Sequence, residues 1–165
     1  MDMRNKAGFQ VDLGFTYIGL MLFIAITGIL LSVAGISWQY EVRAEKEQQL
    51  LFVGNQFRAA INSYYVSALG DAKVYPLSLN DLLLDKRMPN IRRHLRQIYL
   101  DPFTEKADWG LVTQEGRIVG VYSSSTLKPL KHSGFNRENA KFSGAKSYQD
   151  WIFGEADGVK SSNEK

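Results

Sequence analysis

The chain lacks cysteine altogether, and it has only four prolines and two histidines in 165 residues. The missing thiols exclude disulfide bonds, thiol nucleophiles and zinc–thiolate sites. They do not fix the cellular compartment, because a domain outside the cytosol can be stable without disulfides. The net charge of +3 is too small to imply nucleic-acid binding by itself.

Charge is also missing from one long segment, since no charged side chain occurs between Leu13 and Tyr40. The 26 residues from Phe15 to Tyr40 would rise about 39 Å as a helix, enough to cross a hydrocarbon core of about 30 Å. The apolar part of a secretory signal is shorter, roughly 7 to 15 residues. The segment 15–40 is therefore predicted to be a transmembrane or assembly helix. Lysine and arginine flank both of its ends, so the charge pattern leaves the orientation open.

The helix is predicted to continue beyond the apolar segment, because residues 41–69 contain no proline and the later ones carry an apolar stripe at helical spacing. The stretch 41–49 is polar nearly all round and is expected to be solvated or paired with neighbours. One helix is thus expected from about Phe15 to about Ser67, with Gly70 as its stop signal. The stripe comprises Leu50, Gly54, Phe57, Ile61, Tyr64 and Ala68, widened by Val53 and Ala60.

Two short helices are predicted after this long one. Ser78 is placed to cap a helix from Leu79 to about Lys86, which Pro89 would end. The stretch "PNIRRHLRQIYL" predicts a second helix, with its apolar residues directed inward. Those residues are Ile91, Leu95 and Ile98.

Strands are predicted further on, in "DWGLVTQEGRIVGVYSSS", as a pair around Gln114-Glu115-Gly116. "SYQDWIF" predicts a third strand. The expected fold is α+β: a long helix packed through its amphipathic half against a small antiparallel sheet, with Ile61 and Leu111 in the core. The head is expected to span residues 70–153, and residues 154–165 are expected to be a disordered tail.

The sequence offers little for catalysis. Neither His94 nor His132 has a ligand partner at helical spacing, and no catalytic or phosphate-binding motif occurs. Asp101, Glu105 and Asp108 supply the oxygen ligands that calcium prefers, but the glycine-rich acidic loop is missing. We predict no enzyme activity, no small-molecule substrate, no cofactor and no metal.

A basic cluster is the remaining candidate site. It could form a phosphate-binding patch, yet acidic residues lie close by and no aromatic residues are interleaved. A solvated surface is the favoured interpretation, and nucleic acid is not expected as a partner. The cluster comprises Lys86, Arg87, Arg92, Arg93 and Arg96.

The stretch "GFTYIGLMLFIAITGILL" resembles the amino-terminal segment of type IV pilins and type II secretion pseudopilins. "YPLSLNDLLLD", "YLDPFTEKADWGLV" and "GVYSSS" resemble the heads of such proteins less specifically. The resemblance implies a leader at residues 1–14, cleavage between Gly14 and Phe15 by a prepilin peptidase, and methylation of the new Phe15 amine. It also implies a single-pass protein of the bacterial inner membrane, with its head in the periplasm and other pilin-like subunits as partners.

Two features depart from the family pattern. The leader ends in Val11-Asp12-Leu13-Gly14 instead of basic residues. A competing pair, Gly8-Phe9, is disfavoured because cleavage there would leave Asp12 inside the mature apolar start. The fifth mature position, usually Glu in the family, is Gly19.

Gly19 bears on how the chain would assemble. The family's glutamate can pair with the cationic amino terminus of a neighbouring subunit, at a depth where an unpaired charge is costly. Without it, a minor subunit is predicted; the alternative is that Gly19 merely allows close helix packing. The predicted function is a minor, pilin-like subunit of a type II secretion or type IV pilus assembly. The alternatives are a DNA-binding minor pilin and a membrane-tethered periplasmic module that never polymerises.

Overall fold

The computed structural model describes residues 13–68, 73–87 and 90–155, with side chains from residue 16 onward except 31–37. The chain divides into two compact units, Met1–Val42 and Arg43–Lys165. We call the second unit the head. Helix α1, Leu13–Val66, contributes residues to both units. The predicted long helix is therefore confirmed, and its end lies one residue from the predicted one.

The second half of α1 buries one stripe in the head, as the spacing predicts. Leu50 and Phe57 are fully buried and Ile61 is 1% exposed. Each such side chain contributes about 1.5–3 kcal/mol by leaving water. Gly54 lies in the same stripe, where the ring of Phe153 packs so closely that a Cβ at Gly54 would meet it at 2.5 Å. The small residue in the stripe thus lets the sheet approach the helix.

The sheet has three antiparallel strands in the order β1 (Gly110–Gln114), β2 (Arg117–Tyr122) and β3 (Phe153–Gly154). The β1–β2 hairpin is confirmed. Its two-residue turn places Glu115 at φ 53° and Gly116 at φ 75°. Positive φ at both positions is the geometry that matches the twist of the flanking strands.

The prediction of a strand over "SYQDWIF" is wrong for most of its length. Tyr148–Asp150 forms a 3₁₀ turn, and only the final residue of the stretch belongs to β3. The carboxylate of Asp150 accepts hydrogen bonds from the backbone N–H groups of Lys146 and Ser147, which curls the segment. The predicted start of the tail is also wrong, because Gly154 pairs with Gly120 in β3. Residues 156–165 lie outside the described residues.

The first short helix, α2, is shorter than expected and spans only Asn80–Leu83. The side chain of Ser78 does not cap it. The carboxylate of Asp81 accepts from the backbone N–H groups of Leu77 and Ser78 instead. The turn before α2 is therefore stabilised by Asp81, a residue of the helix itself.

The predicted second short helix does not form within residues 90–100. The backbone N–H groups of His94 and Leu95 both donate to the carbonyl of Leu82, and an isolated bridge joins Asp85 to Arg92. These tertiary bonds hold the segment in an irregular, bent conformation. Leu95 is buried as predicted, but Ile91 is 76% exposed.

The prediction that Leu111 belongs to the core is also wrong, since that side chain is 44% exposed. Its neighbour Val112 is 3% exposed and faces the core instead. Successive side chains of a strand point to opposite faces. The register shifts between Val112 and Thr113, and the pairing of β1 with β2 continues beyond this irregularity.

Candidate functional site

The first part of α1 exposes large apolar side chains on every face. Between residues 17 and 30, ten of them are each 49–68% exposed. A surface helix of a soluble domain hides one apolar stripe, whereas a helix that is apolar all round is covered on all sides by protein or lipid. The ten are Tyr17, Ile18, Leu20, Met21, Leu22, Phe23, Ile24, Ile26, Ile29 and Leu30.

Two of the predicted processing and assembly residues lie at the start of this helix. Gly14 and Phe15 are in the first turn of α1, and their side chains lie outside the described residues. Gly19 lies one turn further on, where a Cβ would meet no atom within 4 Å. Across the described part of the chain, no helix has the length and apolarity needed to cross a membrane.

A buried carboxylate, that of Glu47, joins α1 to two distant segments of the head. Glu47 is 5% exposed and accepts hydrogen bonds from the Leu130 N–H at 2.7 Å and the Lys131 N–H at 3.1 Å. It also accepts from the hydroxyl of Tyr148 at 2.7 Å. Burial and this neighbouring carboxylate raise the pKa of Tyr148. The sequence predicts that the stretch 41–49 is solvated or paired with neighbours. In the structure, Glu47 of this stretch is buried and hydrogen-bonded to the head.

A second buried carboxylate, Asp85, lies at the centre of a polar cluster beside α1. Its oxygens accept from the Arg87 guanidinium at 2.9 and 2.7 Å and approach His94 Nε2 at 3.2 Å. The other ring nitrogen of His94 lies 2.8 Å from the Ser63 hydroxyl. The Arg87 guanidinium also stacks 3.5 Å from the ring centroid of Tyr64. The cluster thus ties the loop after α2 to the last turns of α1.

The Asp85 cluster is expected to make the head sensitive to acid. Hydrogen bonds from Arg87 hold the pKa of Asp85 well below its usual range. A depressed carboxyl pKa stabilises the folded state above the unfolded pKa of about 4, and that stability is lost as the pH falls toward the folded pKa. We expect Asp85→Asn to destabilise the head by about 3 kcal/mol at neutral pH, because the buried partner of Arg87 is lost.

Urea unfolding measured from pH 7 down to pH 2 checks this expectation. The free energy of unfolding of Asp85→Asn should fall less between pH 4 and pH 2 than that of the wild type. Asp108→Asn, at an exposed position, is the matched control and should follow the wild-type curve. Parallel curves for Asp85→Asn and the wild type would show that Asp85 does not carry the acid response.

The three acidic residues considered for calcium are bound to different partners. Asp101 is fully buried and accepts from the Phe103 N–H and the Ser123 hydroxyl. Glu105 pairs with Lys46 at 2.8 Å, and Asp108 accepts from the Thr104 hydroxyl. Within the residues that the structure describes, no three histidine or acidic side chains are grouped in a way that could hold a metal ion.

The basic cluster is divided by the fold. Arg87 belongs to the Asp85 cluster, while Arg92, Arg93 and Arg96 are exposed on the irregular segment that follows. Lys86 is exposed as well. The favoured interpretation of a solvated surface describes these four residues but not Arg87.

Gly14, Phe15 and Gly19 stay predictions from the sequence, and sequence reasoning did not predict the buried roles of Glu47 and Asp85. Glu47 bonds with residues 83 to 101 positions away, and no local pattern signals such a contact. Comparison with known proteins adds no relative: no protein-family model, curated protein or solved structure matches this chain.

Proposed function

We propose that this chain is a minor, pilin-like structural subunit of a type II secretion pseudopilus or a type IV pilus. A prepilin peptidase cuts it between Gly14 and Phe15 and methylates the new Phe15 amine. The apolar part of α1 stays in the bacterial inner membrane, with the head in the periplasm. Its partners are the peptidase and other pilin-like subunits, and it has no catalytic role.

One observation carries this proposal: the exposure of apolar side chains changes along α1. Its residues 17–30 expose apolar side chains on all faces, whereas from Leu50 onward it buries a single stripe in an α+β head. Such a helix needs a cover for its first part, which lipid supplies before assembly and neighbouring helices supply afterwards.

Further details of the apolar segment agree with a lipid environment. Thr27 donates its hydroxyl to the Phe23 carbonyl at 2.8 Å, which satisfies a polar group without water. Trp38 and Tyr40, 72% and 61% exposed, stand at the end of the charge-free segment. Tryptophan and tyrosine are enriched where helices leave the hydrocarbon core.

Cysteine crosslinking in cells tests whether the chain joins an assembly. The natural chain has no cysteine, so Ile24→Cys introduces a single thiol on the exposed apolar surface. We expect a short thiol-reactive crosslinker to join it to other pilin-like subunits, and the adducts to vanish in cells that lack those subunits. Absence of protein adducts at Ile24 and at other exposed apolar positions would favour the tethered module that never polymerises.

The DNA-binding alternative depends on Arg92, Arg93 and Arg96, which are exposed together. Phosphate contacts by arginine make affinity fall steeply with salt. Binding of duplex DNA that weakens as salt is raised, and that is lost in Arg93→Glu/Arg96→Glu, would favour this alternative over the assembly role.

A further inference from the structure

Strand β1 lies at one edge of the sheet, because β2 separates it from β3. We call the side of β1 that faces away from β2 the β1 edge. Proteins usually protect such an edge with charged side chains, with proline or with a bulge. None of the five residues of β1, Gly110–Gln114, is charged or is proline. The strand therefore lacks the side chains that prevent a further strand from pairing.

The backbone groups that face the β1 edge follow from the pairing with β2. The Ile118 N–H donates to the Pro76 carbonyl at 2.8 Å, so Ile118 directs its backbone groups away from its partner on β1, Thr113. Directly opposed residues of an antiparallel pair either exchange both backbone hydrogen bonds or exchange none. Thr113 therefore directs its own N–H and C=O to the β1 edge.

The same orientation recurs at Leu111, two residues before Thr113. The extra residue at the irregularity between the two strands is Val119 of β2, so the alternation along β1 is uninterrupted. Leu111 and Thr113 thus present two N–H and two C=O groups to the β1 edge. Within the described residues, no hydrogen bond reaches these four groups, and both residues are exposed.

This pattern of donors and acceptors fits the backbone of an extended polypeptide. Alternate residues of a strand repeat about every 7 Å, and each supplies one N–H and one C=O on the same side. Two such residues of an added strand would satisfy all four groups of the β1 edge. Strand addition of this kind derives its affinity from main-chain hydrogen bonds. The chemistry of the edge therefore selects an extended peptide segment.

Charges at the two ends of β1 distinguish a second copy of this chain from a different partner. Asp108 and Glu115 are exposed carboxylates on either side of the strand. Arg117 directs its guanidinium to the Tyr75 carbonyl, away from β1, and the exposed Lys106 offsets charge only at the Asp108 end. Two antiparallel copies of β1, paired through all four groups, would place Asp108 of each copy beside Glu115 of the other. Such like charges disfavour pairing.

We propose that the β1 edge receives an extended, uncharged segment of a neighbouring pilin-like subunit, with a cationic residue at each end of that segment. The inference rests on the proposed function, which supplies the neighbour. The segment pairs with Leu111 and Thr113 and becomes the fourth strand of the sheet. Its cationic ends lie against Asp108 and Glu115, which a second copy of β1 could not provide.

Hydrogen exchange of the β1 amides, measured by NMR on the full chain in detergent, tests the pairing. The probe is a synthetic peptide of five alternating threonine and valine residues between two lysines. In the free chain, the N–H groups of Leu111 and Thr113 should exchange fast, whereas those of Val112 and Gln114 are protected by β2. Saturating peptide should slow exchange at Leu111 and Thr113 roughly tenfold or more. Unchanged exchange at both positions would overturn the proposal.

Thr113→Pro removes one outward N–H and keeps the bonds to β2, because proline is tolerated where the N–H faces away from the sheet. It should weaken binding of the peptide roughly tenfold or more. Thr113→Val, the matched control, keeps the N–H and should bind the peptide as the wild type does. A peptide whose five central amides are N-methylated tests the same contact without changing the protein. Binding of that peptide as tight as that of its parent would overturn the proposal.

A peptide with glutamate in place of both lysines tests the assignment of charge. It should bind severalfold more weakly at low salt, and the difference should shrink as salt is raised. Equal binding of the two peptides at low salt would overturn the cationic ends. Dimers of the full chain that are lost in Thr113→Pro would overturn the choice of partner, since the occupant would then be a second copy.

Crosslinking in cells separates this proposal from the one on which it rests. Thr113→Cys places a single thiol at the β1 edge, and we expect it to form adducts with a pilin-like subunit. Adducts from Ile24→Cys without any from Thr113→Cys would overturn the β1 edge and leave the assembly role intact. Absence of adducts from Ile24→Cys contradicts the assembly role, whatever the peptides show.

Discussion

Ile61→Asp is expected to unfold the head, whereas Leu111→Asp should melt close to the wild type. Ile61 is 1% exposed on the buried stripe of α1, so an aspartate there loses apolar burial and places an unpaired charge in the core. A loss of about 5 kcal/mol is comparable to the whole stability of a small domain, about 5–15 kcal/mol. Leu111 is 44% exposed on β1, where an aspartate stays hydrated.

Thermal melts of the full chain in detergent, followed by circular dichroism, compare the two variants with the wild type. The signal of the head should be lost at room temperature for Ile61→Asp and should shift by only a few degrees for Leu111→Asp. If the two variants melt together, the packing of α1 against the sheet is not the core of the head.

Gly19→Glu should increase the number of copies of this subunit along filaments severalfold. By the resemblance, Gly19 occupies the position at which pilins carry a glutamate that pairs with the amino terminus of a neighbour. A Cβ at Gly19 would meet no atom of the chain within 4 Å, so the chain itself leaves room for the glutamate. Glutamate is also a better helix former than glycine. The new carboxylate can therefore neutralise the Phe15 amine at each junction.

Immunogold labelling of sheared filaments compares the wild type with this variant. Gly28→Glu is the matched control, since it places the same carboxylate about 13 Å further along the helix, away from the amine. Wild type and Gly28→Glu should label filaments sparsely, and Gly19→Glu should label them along their length. Dense labelling of wild-type filaments would contradict the minor-subunit proposal and leave Gly19 as a packing glycine.

The elements that the sequence predicts well are those specified locally. The 3.6-residue spacing of Leu50, Phe57 and Ile61 sets the buried face of α1, and a two-residue turn at Glu115-Gly116 sets the hairpin. The segment 90–100 has helix-compatible spacing, but bonds to Leu82 hold it in an irregular conformation. Those bonds join residues that only the folded chain brings together.

The same distinction holds for the candidate sites. Gly14, Phe15 and Gly19 lie close together in one segment of the chain, so a local sequence pattern can point to them. Glu47, in contrast, bonds to Leu130 and Tyr148, which are eighteen residues apart along the chain and separated by the 3₁₀ helix Arg137–Phe142. The turn that contains Tyr148 is closed by the carboxylate of Asp150, in a stretch whose aromatic and β-branched residues favour a strand.

The most direct test of the central proposal is the intact mass of the mature chain. The protein should be purified from cells with and without an active prepilin peptidase. With the peptidase, we expect a chain that begins at N-methylated Phe15; without it, we expect the uncut chain with Gly14 still joined to Phe15. A chain that keeps residues 1–14 in both strains, or that begins at Phe9, would contradict the proposal.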